Sequence, residues 1–181
     1  MNLSRRDEYI SEVMRFRKVL NLTSISSPDE FVRKFISPSL TLLDWMPDAG
    51  RMLDIGSGMG IPGIPLLLAR NGLYGILVER RKKRAEFLRH VVRNLNLNAK
   101  VFDADIDDLS CLSAKVCVAR AVTDERALLK MCSKHVVDSA VAVLPVPAAS
   151  LPVSVHGWHA SDEKIVKIDG GSQLIRCYRH G

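Results

Sequence analysis

The stretch LDIGSGMGIPG, residues 53–63, sets four glycines within eight positions directly after the apolar run RMLDI. A glycine-rich turn between a strand and a helix lets backbone approach a nucleotide closely. Two cofactor chemistries compete for such a turn. Gly58-Met59-Gly60-Ile61-Pro62-Gly63 satisfies G-x-G-x-x-G, and Glu79 follows about twenty residues later, as in dinucleotide sites where an acid accepts from a ribose hydroxyl. The longer pattern Asp54-x-Gly56-x-Gly58-x-Gly60 adds a carboxylate two residues before the first glycine. Asp54 would repel a diphosphate, whereas S-adenosylmethionine brings an ammonium and a sulfonium and no phosphate. Asp54 therefore favours the methyl donor, with Gly56, Ser57, Gly58, Gly60 and Ile61 forming its loop. Glu79 serves a ribose under either reading. The bland alternative is a tight turn that binds nothing.

Alternating strands and helices must position this loop. RMLDI (51–55) reads as a buried strand, PGIPLLLARN (62–71) as a helix and YGILVE (74–79) as the next strand. An amphipathic helix follows at 80–97, with Ala85, Leu88, Val91, Val92 and Leu95 opposite a basic face. Strands at 99–105, 114–122 and 139–146, with a helix at 124–136, continue the pattern. VSVHGWH (153–159) and QLIRCYRH (173–180) read as a closing antiparallel pair around Asp169-Gly170-Gly171. This alternation predicts a doubly wound, mostly parallel α/β sheet with its ligand at the carboxyl ends of the strands. Upstream, residues 6–20 place Tyr9, Val13, Phe16 and Leu20 on one helical face; Ser27-Pro28 starts a second helix and Pro38 a third. One domain is expected over 1–181, a helical cap at 1–48 preceding a cofactor-binding core at 49–181.

The 181 residues carry 26 Lys and Arg against 20 Asp and Glu, a net charge of +6. A basic excess suits a polyanionic partner such as nucleic acid. Arg80, Arg81, Lys82, Lys83 and Arg84 form the densest run, a candidate contact for RNA phosphates as well as an ordinary solvated helix face. No apolar stretch reaches the roughly 18 to 20 residues of a membrane span, and the charged N-terminal stretch lacks a secretory signal, so a cytoplasmic protein is expected. Cys111, Cys117, Cys132 and Cys177 have no metal-ligand spacing and read as reduced thiols, and no metal is expected. A monomer is expected. His156, Trp158 and His159 read as packing residues.

LDIGSGMGIPGIPLLLAR resembles the start of the catalytic domain of the glucose-inhibited division protein B family, bacterial guanine-N7 methyltransferases of small-subunit ribosomal RNA. The Pro62-Gly63-Ile64-Pro65 continuation is characteristic of it. LNLTSISSPDEFVRKFISPSL, RRKKRAEFLRHVVRNLNL and VARAV are similar to further family segments, so the resemblance runs over residues 18 to 130. It implies a seven-stranded class I S-adenosylmethionine-dependent methyltransferase fold, with S-adenosylhomocysteine as product and ribosomal RNA or the 30S subunit as partner. By position it implies that Gly56 and Ile61 line the cofactor, that Ile106 and Asp107 flank the adenine, and that Arg120 sits by the cofactor or the RNA.

No catalytic side chain is assigned. The aromatic motif of exocyclic-amine methyltransferases and the Pro-Cys pair of pyrimidine-C5 enzymes are both absent. Guanine N7 has a free lone pair and no proton to remove, so its alkylation needs no general base. Three departures from the family lie on the substrate side. Its leucine-lysine at the end of strand five is replaced around Pro145, its N-terminal histidine and aspartate by Phe35 and Pro38, and the link after strand five is short. They mark a divergent member. The alternatives are a methyltransferase for another RNA or a small molecule, a cofactor-binding RNA-associated protein without catalysis, or a dinucleotide enzyme.

Overall fold

The computed structural model describes residues 3–120 and 122–181. Seven strands form one sheet in the order β3-β2-β1-β4-β5-β7-β6. They are β1 (Gly50–Ile55), β2 (Leu73–Val78), β3 (Ala99–Phe102), β4 (Ala114–Ala119), β5 (Val136–Val146), β6 (Trp158–Ile168) and β7 (Gly171–His180). The first five run parallel, and β7 is antiparallel to both β5 and β6. Chain order reverses between β1 and β4, so a crevice opens at their carboxyl ends, where the glycine loop leaves β1.

Side-chain alternation divides two cores. Met52, Leu77, Val116, Val118, Val143 and Ile175 face α1 (Leu3–Phe16), α4 (Gly63–Ala69) and α5 (Lys82–Asn94). Leu53, Ile55, Val78, Cys117, Leu144 and Tyr178 face α6 (Glu125–Ser133). The face under α6 has no other long helix among the described residues. A short 3-10 turn (Ile106–Asp108) and the irregular segment 147–157 share its cover, and the short link after β5 contains no helix.

Four expectations are corrected. The first helix ends at Phe16, not Leu20, and Asn21 takes a left-handed φ of 48°. Pro38 does not begin a separate helix: α2 (Pro28–Phe31), a π turn (Val32–Ile36), α3 (Ser37–Leu40) and a 3-10 turn (Thr41–Trp45) run on continuously. The N-cap at Ser27 stands as read, its hydroxyl accepting from Glu30 N at 3.4 Å. The strand placed at 153–159 is mostly irregular, and β6 spans Trp158–Ile168 instead. That strand lies at the sheet edge and exposes most of its residues, so its charged sequence ASDEKIVKI hides the alternation a half-buried strand displays. Trp158 is buried, whereas His156 and His159 are exposed rather than packed.

Candidate functional site

Asp54 follows Met52 by two residues on β1, so its side chain turns toward α4, and it is completely buried. Its Oδ2 accepts the Gly63 N–H at 3.2 Å, at the first residue of α4. The loop therefore caps its own helix with its own anion. A side chain at Gly63 would bring Cβ within 2.5 Å of Asp54 Oδ2, which explains the glycine there. Asp54 Oδ1 is buried without a partner. Burial raises the carboxyl to about 7, against opposing bonds from Ser57 and the Gly63 amide and with a further push from Glu79.

This arrangement separates the two cofactor chemistries. A dinucleotide seats its pyrophosphate on the amide groups at the helix start. Here the helix start is occupied by a carboxylate, and a second, unpartnered carboxylate oxygen lies behind it. Those residues fit a ligand that brings positive charge to the loop, as S-adenosylmethionine does.

Glu79 ends the approach from β2 and is 6% exposed. Its Oε2 accepts from Gly58 N at 3.0 Å and its Oε1 from Arg81 N at 2.7 Å. One carboxylate thus ties the glycine loop to the start of α5. Each oxygen retains an acceptor position for a ribose hydroxyl. Gly56 takes φ 68°, and a Cβ there would meet Val122 Cγ2 at 2.6 Å, so only glycine keeps this wall close.

A cleft of about 360 Å³ lies over these groups. Of the residues expected at the cofactor, Gly56, Glu79 and Ile106 line it directly. Asp54, Ser57, Gly60 and Ile61 are buried behind the loop, and Gly58 meets Glu79 through its backbone. Asp107 is exposed beyond the wall; its neighbour Asp105 lines the cleft instead and caps the 3-10 turn through Asp107 N at 3.2 Å. Sequence reasoning missed Asp105, Val122, Thr123 and Met131. The position of Asp105 just past the end of β3 was the available signal.

Tyr9 was also missed as a site residue, having been read only as helical core. Its hydroxyl donates to Met59 O at 2.9 Å, so α1 latches the glycine loop from the cap. Burial, and then Asp54, hold the phenol well above its ordinary pKa, so it stays a donor. Tyr9→Phe strands the buried Met59 carbonyl at a cost of about 1–3 kcal/mol. A lower melting temperature and weaker donor affinity in the same variant are the expected result, read by thermal unfolding and calorimetry.

Arg120 does not line the cleft. It continues the Val116–Val118 face of β4, and so meets the cap: its guanidinium lies 4.6 Å from the Phe35 ring centroid and donates to Lys34 O at 3.2 Å. Pro38 has no N–H to offer that carbonyl. Burial pulls the guanidinium below its ordinary pKa. Pro38 and Pro145 line the same cavity of about 30 Å³ as Arg120. Phe35, Pro38 and Pro145, the positions where the sequence is expected to depart from the family pattern, therefore surround one side chain, while the short link after β5 lies apart from it. Ala121, in the VARAV segment, lies outside the described residues.

The basic run divides by direction. Arg80, Arg81 and Arg84 border the cleft, while Lys82 and Lys83 join Arg81 and Arg84 in a second hollow with Val19, Leu20 and Asn21. Arg84 donates to the Asn21 carbonyl and so ties this hollow to the cap. Arg80, Arg81, Lys82 and Lys83 are exposed. Arg89 is committed to Glu86 and Asp103. No cluster of metal-ligating side chains exists among the described residues. None of their helices is long and apolar enough to cross a membrane.

The sheet order, the reversed β7 and the acid-ended glycine loop define a class I methyltransferase fold, and the solved structures agree. A putative methyltransferase, yhhF, from Escherichia coli superposes with a TM-score of 0.64 at 17% identity, covering 78% of this chain and 85% of that one. M. jannaschii TYW2, solved in complex with AdoMet, gives 0.61 at 15% identity over 80% and 74%. The sequence profile of the rRNA small subunit methyltransferase G (GidB) family matches residues 2–146, and the chain belongs to that family. The ribosomal RNA small subunit methyltransferase G of Stenotrophomonas maltophilia strain K279a is 39% identical over 102 residues, 56% of this chain and 48% of that protein. Its namesake in Xanthomonas campestris pv. campestris strain B100 is 28% identical over 167 residues, covering 90% and 78%. Across the stronger matches the chain spans about half the length of its curated relatives.

Proposed function

We propose that this chain is an S-adenosylmethionine-dependent methyltransferase acting on N7 of a guanine in small-subunit ribosomal RNA. The observation that carries the reading is the Asp54 carboxylate on Gly63 N, which fills the anion site a dinucleotide requires. Family membership supports the substrate class. Such a substrate places the activity in the cytoplasm.

When bound, S-adenosylmethionine supplies an electrophilic methyl group and leaves as S-adenosylhomocysteine. The chain's part is positioning. Glu79, which holds Gly58, would accept from the ribose hydroxyls, Asp105 and Ile106 would border the adenine, and an ionised Asp54 would set a negative field beneath the glycine loop. At N7 the purine offers a lone pair without a proton, so no side chain is needed as a base.

Lys82 and Lys83 are assigned to RNA phosphates, with Arg80, Arg81 and Arg84 at the cleft border. Arg120 acts on the cap in this reading, through Phe35 and the Lys34 carbonyl, and is given no direct contact with the RNA. Replacing both lysines by alanine should weaken RNA binding for all sequences alike. The slope of log K against log salt should fall by about 1.5 units, two phosphate contacts' worth. Fluorescence titrations over a salt series measure this.

Calorimetric titration of the full chain with S-adenosylmethionine and with NADH tests the cofactor. Donor binding without NADH binding is expected, and the reverse would remove the proposal. The closed corner at Arg120 favours one second reading, a donor-binding protein that has lost transfer. Donor binding with no label passed to RNA would select it.

A further inference from the structure

We infer that the acceptor base is received in a second cavity on the α6 face, with Glu125 reading its N–H edge; the inference rests on the methyltransferase reading above. The cavity is about 400 Å³ and opens at the carboxyl ends of β4 and β5. That volume lies within the usual range for small-ligand sites. It shares Val122 and Thr123 with the cofactor cleft, so the two spaces meet at one thin wall. The cap-side corner at Arg120 retains only about 30 Å³ and has no room for a base.

The walls suit a flat aromatic ring. Leu128, Leu144, Val146 and Val153 offer apolar surface, and Leu151, 83% exposed, stands at the mouth. The polar groups converge on one point. Arg176, 1% exposed, donates through Nη1 to both Glu125 oxygens at 3.1 and 3.3 Å and through Nε to Glu163 at 3.0 Å. It also donates to Ser150 O at 2.7 Å and Ser150 Oγ at 3.3 Å. Tyr178 OH donates to Glu125 Oε1 at 2.8 Å. Oε1 thus accepts two bonds and Oε2 one, so an acceptor position on Oε2 stays open.

This buried network holds Glu125 in place and pins the segment that forms the cavity's outer wall. Glu125 lines this cavity beside Thr123, Asp124, Arg126 and Ser150, along with its apolar residues, and a fixed acceptor there selects a base that presents N–H donors. In guanine the amino group and N7 lie on opposite groove edges. A guanine anchored by its amino edge on Glu125 directs N7 back toward the shared wall and the cofactor. Arg176 and Tyr178 are positioning residues for this carboxylate.

The test titrates the full chain, saturated with S-adenosylhomocysteine, with guanosine and inosine monophosphates. The inosine nucleotide lacks the 2-amino donor and should bind about tenfold more weakly. Glu125→Gln exchanges a charged acceptor for a neutral one and should bring the two within about twofold. Leu151→Trp changes an exposed residue, so the fold is kept; it should abolish binding of both nucleotides with homocysteine-product affinity unchanged. Equal affinity of the wild type for both nucleotides, no binding of either, or full binding by Leu151→Trp each overturns the inference. Guanine methylation at wild-type rate in both variants would also overturn it while leaving the proposed function intact. The expected binding pattern without any methyl transfer would instead remove the proposed function and leave the cavity assignment standing.

Discussion

Asp54→Asn is expected to be more stable than the wild type at pH 8 and equal to it at pH 4. In the folded protein the Asp54 carboxyl is raised from 3.8 to about 7, chiefly by burial. Between those values the unfolded chain has released the proton and the folded chain still binds it, so wild-type stability falls as pH rises through this window. Above pH 7 the penalty is constant, on the order of 4 kcal/mol for a shift of this size. Asparagine keeps an oxygen for Gly63 N and never ionises, so its curve lacks this fall. Urea unfolding at pH 4, 6 and 8 reads the difference directly. The gain should come with a loss of donor affinity, because a cation seated at the loop stabilises the ionised form of Asp54. In the wild type, donor binding near pH 7 should therefore release protons, and in Asp54→Asn this release should disappear. Calorimetry in buffers of different ionisation enthalpy measures it.

The second large effect is expected at Glu79. Glu79→Ala removes the acceptor for Gly58 N and Arg81 N and, in the proposed complex, the acceptor for the ribose. A hydrogen bond to a charged group contributes about 1.5–3 kcal/mol. Losing the ribose bonds and the loop's anchor together should lower donor affinity at least about a hundredfold. Glu79→Gln keeps one oxygen and should fall between. Because Glu79 is buried and the change is local, thermal unfolding separates lost binding from lost fold. Wild-type donor affinity in Glu79→Ala would show that the cleft over β1 and β2 is not the donor site.

Much of the sheet was legible because its strands obey simple rules. RMLDI, YGILVE and AKVCVARAV read as short apolar runs between turn residues; the first two fall within one residue of β1 and β2 at each end, whereas β4 ends at Ala119, three residues before the expected end. The edge strand β6 was not legible, since exposed charge removes the period-two signal that reveals a strand. The π turn before Pro38 was equally hidden. Proline marks a helix start in most contexts, and only the Arg120 contact to Lys34 O shows how the interrupted pattern is satisfied here.

At the site, Asp54 and Glu79 could be singled out by type and spacing, but their partners could not. Asp54 was read as facing the ligand, and it lies behind the loop, acting through the helix start and its field. Arg120 is in phase with Val116 and Val118, which pack toward the cap, so the two-residue period of β4 was enough to assign its face. The network at Glu125, Arg176 and Tyr178 joins residues more than fifty positions apart in sequence, and no local pattern brings them together.

The proposed transfer of a methyl group to guanine N7 has a direct test. The full chain is incubated with tritiated S-adenosylmethionine and small ribosomal subunits from cells that lack N7 methylation, and the RNA is digested to nucleosides. Label is expected in 7-methylguanosine and nowhere else. Label in a different nucleoside, or none while the donor binds, would contradict it.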